Sequence, residues 1–320
     1  MKASLSAIAA ELKKYAGGRV AAFMHVRPDG DAVGSALGLR YALKQIGVFC
    51  DVYCADPVPE KFFFLQGAAE IKREFSGKYD AHFAVDCSDA ARMGELGNAF
   101  LSAKTTFNVD HHVSNARYAK FDYVAADKAS NSENILELYS HLGVTPSAEA
   151  ATALLTGVIT DSGNFAHENA AAETLFAAAK LKEYGADSYT INYKMFKEQT
   201  AARAKLFGMA AANIRYFHGS RVGLMTITGD MLEKSGAKAD ETEGFIDFLM
   251  GVKTVEVGMC AMEVKDKTYK VSFRSKKTDV NAVASTFGGG GHVLASGCML
   301  SGYYEDVVDR LVSACKRFMD

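Results

Sequence analysis

Three features of the sequence predict an α/β chain, built from an N-terminal, doubly wound, mostly parallel sheet domain and a smaller C-terminal α+β domain. In the first half, apolar strand-like runs alternate with helical patterns, as they do in parallel sheets covered by helices. Residues 170–212 carry helical periodicity with few strand signals, and a new pattern of short strands begins near Asn213. The length of 320 residues suits about two domains, and 49% hydrophobic residues are ample for a sizeable core. The expected division is 1–186 for the first domain, 187–212 for a helical linker and 213–320 for the second domain.

The elements follow in order. The start, MKASLSAIAAELKKY, imitates a secretion signal in its Lys2 and small residues, but Leu5, Ile8, Leu12 and Tyr15 recur at helical spacing. It therefore reads as an amphipathic first helix. A strand over residues 19–26 runs into the polar loop RPDGD, and a small-residue helix over 32–46 stops at Gly47. Strands are expected at 48–54, 81–86 and 105–109, with helices over 132–141 and 148–158. Ala186-Asp187-Ser188 breaks the helical middle, and strands at 222–228, 255–264 and 268–274 open the second domain. Phe62, Phe63 and Phe64 are expected in the core or between domains, and Tyr193, Phe196 and Phe207 between packed helices.

Charge and cysteine usage narrow the class. Lys plus Arg number 36 against 38 Asp plus Glu, a net charge of −2 that excludes a basic coat for long nucleic acid. No apolar run reaches the ~18 residues of a membrane span. The six cysteines are scattered without a Cys-x-x-Cys pair, which argues against a disulfide framework and for a reduced, cytoplasmic setting. Cys50 and Cys54 read as buried thiols.

Four short motifs carry the chemistry: His25-x-x-x-Asp29-x-Asp31, Asp86 in AVDCSD, Asp110-His111-His112, and Asp161 in TGVITDSGNF. The first three fall at the C-terminal ends of expected strands, the edge that forms the ligand crevice of open α/β sheets. Each has a plainer explanation alone: Asp-Gly-Asp as a turn, Asp161 as a cap for a following helix, a histidine as a bonded core residue. Together they gather carboxylates and imidazoles at one edge. Clustered carboxylates repel one another, and divalent cations relieve that conflict. A donor set of carboxylate and imidazole without thiolate suits Mn²⁺ or Mg²⁺ better than structural zinc. A shared aspartate would make a two-metal centre.

The series HVRPDGDAVGS, AVDCSD, NVDHHVSN and TGVITDSGNF resembles the motifs of the DHH phosphoesterase family. FGGGGHVLASG resembles the glycine-rich signature of its DHH-associated C-terminal domain. Length and spacing are similar to the bacterial oligoribonuclease and 3′,5′-bisphosphate nucleotidase group. Ser162 and Ser296 depart from the family's frequent Thr and Ala without removing a ligand. The resemblance implies that His25, Asp29 and Asp86 hold one Mn²⁺, with Mg²⁺ as the alternative. Asp31, Asp86, His111 and Asp161 would hold the other, with Asp86 bridging. Asp110 would orient an imidazole, and His112 would face the substrate phosphate. The implied reaction is attack of a metal-activated water on short oligonucleotides of 2–5 residues, or on the 3′-phosphate of adenosine 3′,5′-bisphosphate, in a cleft between the domains. The resemblance leaves open a diesterase for cyclic or linear dinucleotides, a pyrophosphatase or exopolyphosphatase, and a non-catalytic nucleotide sensor.

In the second domain, the run Gly288 to Gly291 precedes His292. Glycine amides can approach an anion closely, above all before a helix. Gly289, Gly290, Gly291 and His292 are therefore candidate substrate contacts, together with Arg274 at the end of YKVSFRS, since Arg suits phosphate. The expected partners are small nucleotides, with neither long duplex nor membrane; a homodimer is compatible with the sequence but not required by it.

Overall fold

Five short parallel strands build the first sheet: β1 (Arg19–Phe23), β2 (Phe49–Tyr53), β3 (Ala81–Val85), β4 (Thr106–Asp110) and β5 (Phe121–Val124), in the order β2-β1-β3-β4-β5. The computed structural model describes residues 2–319, which divide into one unit ending at Glu198 and another beginning at Gln199. That division falls within the segment expected to be a linker.

The first unit carries α1 (Leu5–Leu12), α2 (Gly30–Gln45), α3 (Gly97–Leu101), α4 (Asn131–Leu142), α5 (Ala148–Asp161), α6 (Ala172–Glu183) and α7 (Ser188–Asn192). Strands covered on both faces read as near-continuous apolar runs, and all five residues of β3 and of β4 are buried. The strand pleat divides the core in two. Val20, Ala22 and Met24 face a cluster shared with α1, α2, α4 and α5. Ala21 and Phe23 face a second cluster with Met93, Leu96 and Phe100.

Strand order reverses between β1 and β3, so the crevice beyond their C-terminal ends is the topological switch point of the sheet. α2 and α5 meet closely above it. Gly30, Gly34 and Gly38 repeat every four residues on α2, and a Cβ at Gly34 would strike the Ala153 carbonyl oxygen. Close approach of the two helices therefore brings the first turn of α2 beside the last turn of α5.

β5 was not among the expected strands. Only one of its four residues is buried, and as an edge strand it lacks the apolar run that marks its neighbours. Phe62 is buried as expected, but Phe63 is half exposed. Tyr193 and Phe196, expected between helices, lie instead on an exposed π-helical turn, Tyr193–Lys197. All six cysteines are free and buried. Among the described residues no helix is long and apolar enough to cross a membrane.

The second unit begins with α8 (Ala201–Ala212) and contains α9 (Gly229–Ser235), α10 (Phe245–Met250), α11 (Val280–Ser285) and α12 (Tyr304–Phe318). Its sheet comprises β6 (Arg215–Phe217), β7 (Val222–Ile227), β8 (Val257–Lys265), β9 (Thr268–Ser275), β10 (Gly290–His292) and β11 (Ala295–Ser301), in the order β10-β11-β9-β8-β7-β6. All pairings are antiparallel except β7 with β8. The stripe Val307, Val308, Leu311 and Cys315 of α12 packs on the face that carries Val271 and Phe273. On the other side, Phe207 of α8 meets Phe245 edge-on at 5.1 Å, as expected of it.

The glycine run requires a correction. It follows α11 rather than preceding a helix, and Gly290–His292 forms a tight hairpin with β11. A Cβ at Gly289 would meet the Gly297 carbonyl and Cys298, and one at Gly291 would meet Ala295 and Ser296. These glycines make room for the neighbouring strand.

Candidate metal centre

Each motif lies where an element ends or begins at the switch-point edge. His25 stands two residues beyond β1, and its Nδ1 lies 2.8 Å from the Val26 carbonyl oxygen. A carbonyl only accepts, so Nδ1 carries a proton and Nε2 is the nitrogen that faces the cluster. There Nε2 is 3.5 Å from Asp86 Oδ2 and 3.7 Å from Asp29 Oδ2. His111, just after β4, repeats the arrangement. Its Nδ1 donates to the Lys128 carbonyl at 3.2 Å, while Nε2 lies 3.4 Å from Asp86 Oδ1, 3.5 Å from Asp161 Oδ2 and 3.9 Å from Asp31 Oδ2. Fixing one ring nitrogen on a carbonyl is how metal-binding histidines are oriented.

The carboxylates come from different elements. Asp29 caps α2, accepting the amides of Asp31 and Ala32 on Oδ1 and leaving Oδ2 toward His25. Asp29 thus combines its plain capping role with a place in the cluster. Asp31, in the first helical turn, is fully buried and accepts the amides of Asn131 and Ser132. Asp86 follows β3 with φ +50°, a left-handed conformation that non-glycine residues seldom adopt. Its side chain is buried, and Oδ1 has no hydrogen-bond partner among the described residues. Asp161 is the last residue of α5; it ends a helix rather than capping a following one.

The donor atoms form overlapping sets whose members lie within 4.8 Å of one another: His25, Asp29 and Asp86; Asp31, His111 and Asp161; and Asp86, His111 and His112. Asp86 and His111 tie the sets together. His112 differs from His111: its Nδ1 donates to Asp110 Oδ1 at 2.8 Å, and its ring is partly exposed. Asp110, fully buried at the end of β4, also accepts from the Asn115 side-chain Nδ2 at 2.6 Å.

Carboxylates and imidazoles shift one another's titration across the cluster. Burial, then the charge of Asp86, raises the pKa of Asp31; burial, then Asp31, raises that of Asp161. Burial works against charging His25, but Asp29 and Asp86 outweigh it and lift its pKa to about 10. His111 is raised in the same way, burial being overcome by Asp86 and Asp31. The hydrogen bond to Asp110 raises His112. An unpaired buried oxygen, two imidazoles presenting Nε2 and a pocket crowded with carboxylates fit divalent cations.

In the second unit, Arg274 lines a cavity of about 260 Å³ with Lys270, Ser272, Glu243 and Met262. Arg274 is opposite Ala295 in the ladder, and Ala295 is opposite His292, so both long side chains stand on one face across a small residue. The amides of Gly288, Gly289 and Gly291 already donate to Ser285, Ala284 and the Asn281 side chain. The expected open cradle of amides is therefore corrected to a hairpin.

Sequence reading missed the groups behind the cluster: the Val26 and Lys128 carbonyls, Asn115, and the amino-terminal turn of α4. The last had a signal in the Ser/Asn-rich SNSEN that typifies a helix start, and Asn115 closes the motif NVDHHVSN.

Residues 19–158 match the DHH family, N-terminal domain, and residues 221–320 match the DHHA1 domain. The bifunctional oligoribonuclease and PAP phosphatase NrnA of Thermus thermophilus is 31% identical over 320 residues, covering 97% of this chain and 93% of that protein. Its counterpart in Bacillus subtilis is 27% identical over 292 residues, covering 90% and 91%. The crystal structure of an exopolyphosphatase-related protein from Bacteroides fragilis superposes with a TM-score of 0.82 at 25% identity, over 98% of this chain and 96% of that one. By its domains, its motifs and these relatives, the chain belongs to the DHH phosphoesterase family, hydrolases acting on phosphoester bonds.

Proposed function

We propose that this phosphoesterase hydrolyses short oligonucleotides and removes the 3′-phosphate of adenosine 3′,5′-bisphosphate with the help of two divalent cations, Mn²⁺ by preference and Mg²⁺ as the alternative. The carrying observation is Asp86: buried, in a strained backbone conformation, its Oδ1 unpaired, and flanked by Nε2 of both His25 and His111. The names of the oligoribonuclease and PAP phosphatase relatives support the substrate class.

His25, Asp29 and Asp86 would hold one cation, and Asp31, Asp86, His111 and Asp161 the other. When bound, such a pair lowers the pKa of a water and neutralises phosphoryl oxygens. The chain's own residues do the rest. Val26 and Lys128 fix which nitrogen of His25 and His111 faces inward. Asp110 holds the Nδ1 proton of His112, so Nε2 is the atom that meets the phosphoryl or leaving oxygen. In the second unit, Arg274, Lys270 and His292 offer positive or donor groups of the kind that suit a nucleotide.

The test is a substrate panel with Mn²⁺: adenosine 3′,5′-bisphosphate, di- to pentanucleotides, cyclic di-AMP and pyrophosphate. Turnover of the first two classes is expected. Turnover confined to pyrophosphate or cyclic di-AMP would overturn the substrate assignment, and full activity after exhaustive chelation would overturn the metals.

A further inference from the structure

Asp31 is held by groups outside the donor set. Its Oδ2 accepts the Asn131 amide at 2.5 Å, and its Oδ1 accepts the Ser132 amide at 2.9 Å and the Ser35 hydroxyl at 3.3 Å. Those amides open α4, and Ser130, at the capping position of that helix, makes no capping bond with its side chain. The first amides of a helix lack intrahelical partners and need an acceptor. Here the acceptor comes from another helix, 100 residues earlier in the chain.

Gly157 of α5 faces the same point. A Cβ there would collide with Ser132 Oγ and Asp31 Oδ1 and press on Ser132 Cβ. Asp31 and Ser132 are fully buried, so neither has open space into which to retreat. Gly157 lies in the TGVITDSGNF motif, where only Asp161 has so far been given a task.

We infer that Gly157 and the first two amides of α4 act as one positioning device for Asp31, setting the direction in which its carboxylate faces His111 and Asp161. The missing side chain at 157 leaves the gap in which the carboxylate meets the amides. The two N–H groups then fix its rotation. The inference rests on the cation-binding reading above. The competing role is purely structural: Asp31 caps α4, and the contact contributes to stability without favouring one ion over the other.

The experiment measures Mn²⁺ binding to the full chain by calorimetry, with the melting temperature of each metal-free variant as the fold control. Asn131→Ala and Asn131→Pro both remove the Asn131 side chain, but only the second removes the amide hydrogen. Proline suits the first helical position, and the extended Ser130 suits a residue before proline. Wild type should bind two ions. Asn131→Ala should resemble it, whereas Asn131→Pro should weaken one of the two by ~10- to 100-fold, the usual effect of losing a group behind a ligand. Gly157→Ala should weaken the same ion.

Absence of Mn²⁺ binding by wild type would defeat the cation reading itself. Two ions bound equally well by Asn131→Ala, Asn131→Pro and Gly157→Ala would defeat the positioning role alone. So would equal weakening of both ions in step with a fall in metal-free melting temperature, the outcome expected of a cap. If Gly157→Ala does not fold, the comparison of the two Asn131 variants decides.

Discussion

His111 and His112 are adjacent, with ring centroids 4.7 Å apart and planes at 68°, yet only His112 is hydrogen-bonded to Asp110. His111 turns Nε2 into the cluster around Asp86, while His112 gives its Nδ1 proton to Asp110. His111→Ala should therefore lower the Mn²⁺ content of the purified protein. His112→Ala should keep the ions and lose turnover by ~10²- to 10⁴-fold, the range for a positioned proton donor. Metal analysis beside single-turnover rates checks this, and equal metal loss in both variants would refute the division.

Asp86 combines charge with a left-handed backbone, so two substitutions separate the properties. Asn tolerates φ near +50°, whereas Ala is strained there. Both Asp86→Asn and Asp86→Ala should lose at least one ion and most activity. In metal-free protein, Asp86→Ala should melt below Asp86→Asn, by about 1 kcal/mol in stability or more. The same melting point for both would show that the conformation at 86 carries no strain.

Arg274 should matter in proportion to the length of the substrate. Removing a charge-assisted contact typically costs ~1.5–3 kcal/mol, about 10- to 150-fold in kcat/KM. Arg274→Ala should impose that loss on short oligonucleotides, and a much smaller one on a small chromogenic phosphodiester that reaches only the cations. An unchanged ratio between the two substrates would make the second unit irrelevant to recognition.

Acid stability offers a test away from the site. Burial raises the pKa of Asp51, but Lys72, Tyr79 and Arg19, all within 3.0 Å, outweigh it and hold the carboxyl below the usual carboxylate range. A depressed folded pKa gives stability that is present above the unfolded value, ~3.9, and is lost as pH falls through the folded value. Asp51→Asn should lower the melting temperature at pH 7 by about 2–4 °C per kcal/mol lost. The gap to wild type should close below about pH 4. A gap that does not narrow at all as pH falls below about 4 would assign the loss to packing instead.

The sequence announced those parts of the fold whose local chemistry agrees with their burial. β3 and β4 are apolar runs because the sheet covers both their faces. β5 and β10 offered no such run. Gly290–His292 pairs because β11 lies beside it, a tertiary cause with no trace in glycine propensity. The carboxylates and imidazoles were legible because they interrupt apolar segments with rare side chains. The groups that orient them were not: Val26 and Lys128 act through carbonyls, Asn131 and Ser132 through amides, and every residue has those. Gly157 was visible only as a letter in a motif, since its contribution is an absent atom.

The donor atoms come from the ends of three strands and two helices, spread from residue 25 to residue 161. No short stretch of unfolded chain can gather them, so an ion taken up at this edge favours the native unit over its denatured ensemble. At a free concentration 100 times the dissociation constant, each site would add ~2.7 kcal/mol against unfolding. With the proposed ions bound, susceptibility to proteases would follow the supply of the cation. A freshly made chain short of the proposed ions would be degraded sooner, which would couple the abundance of the protein to the supply of the cation.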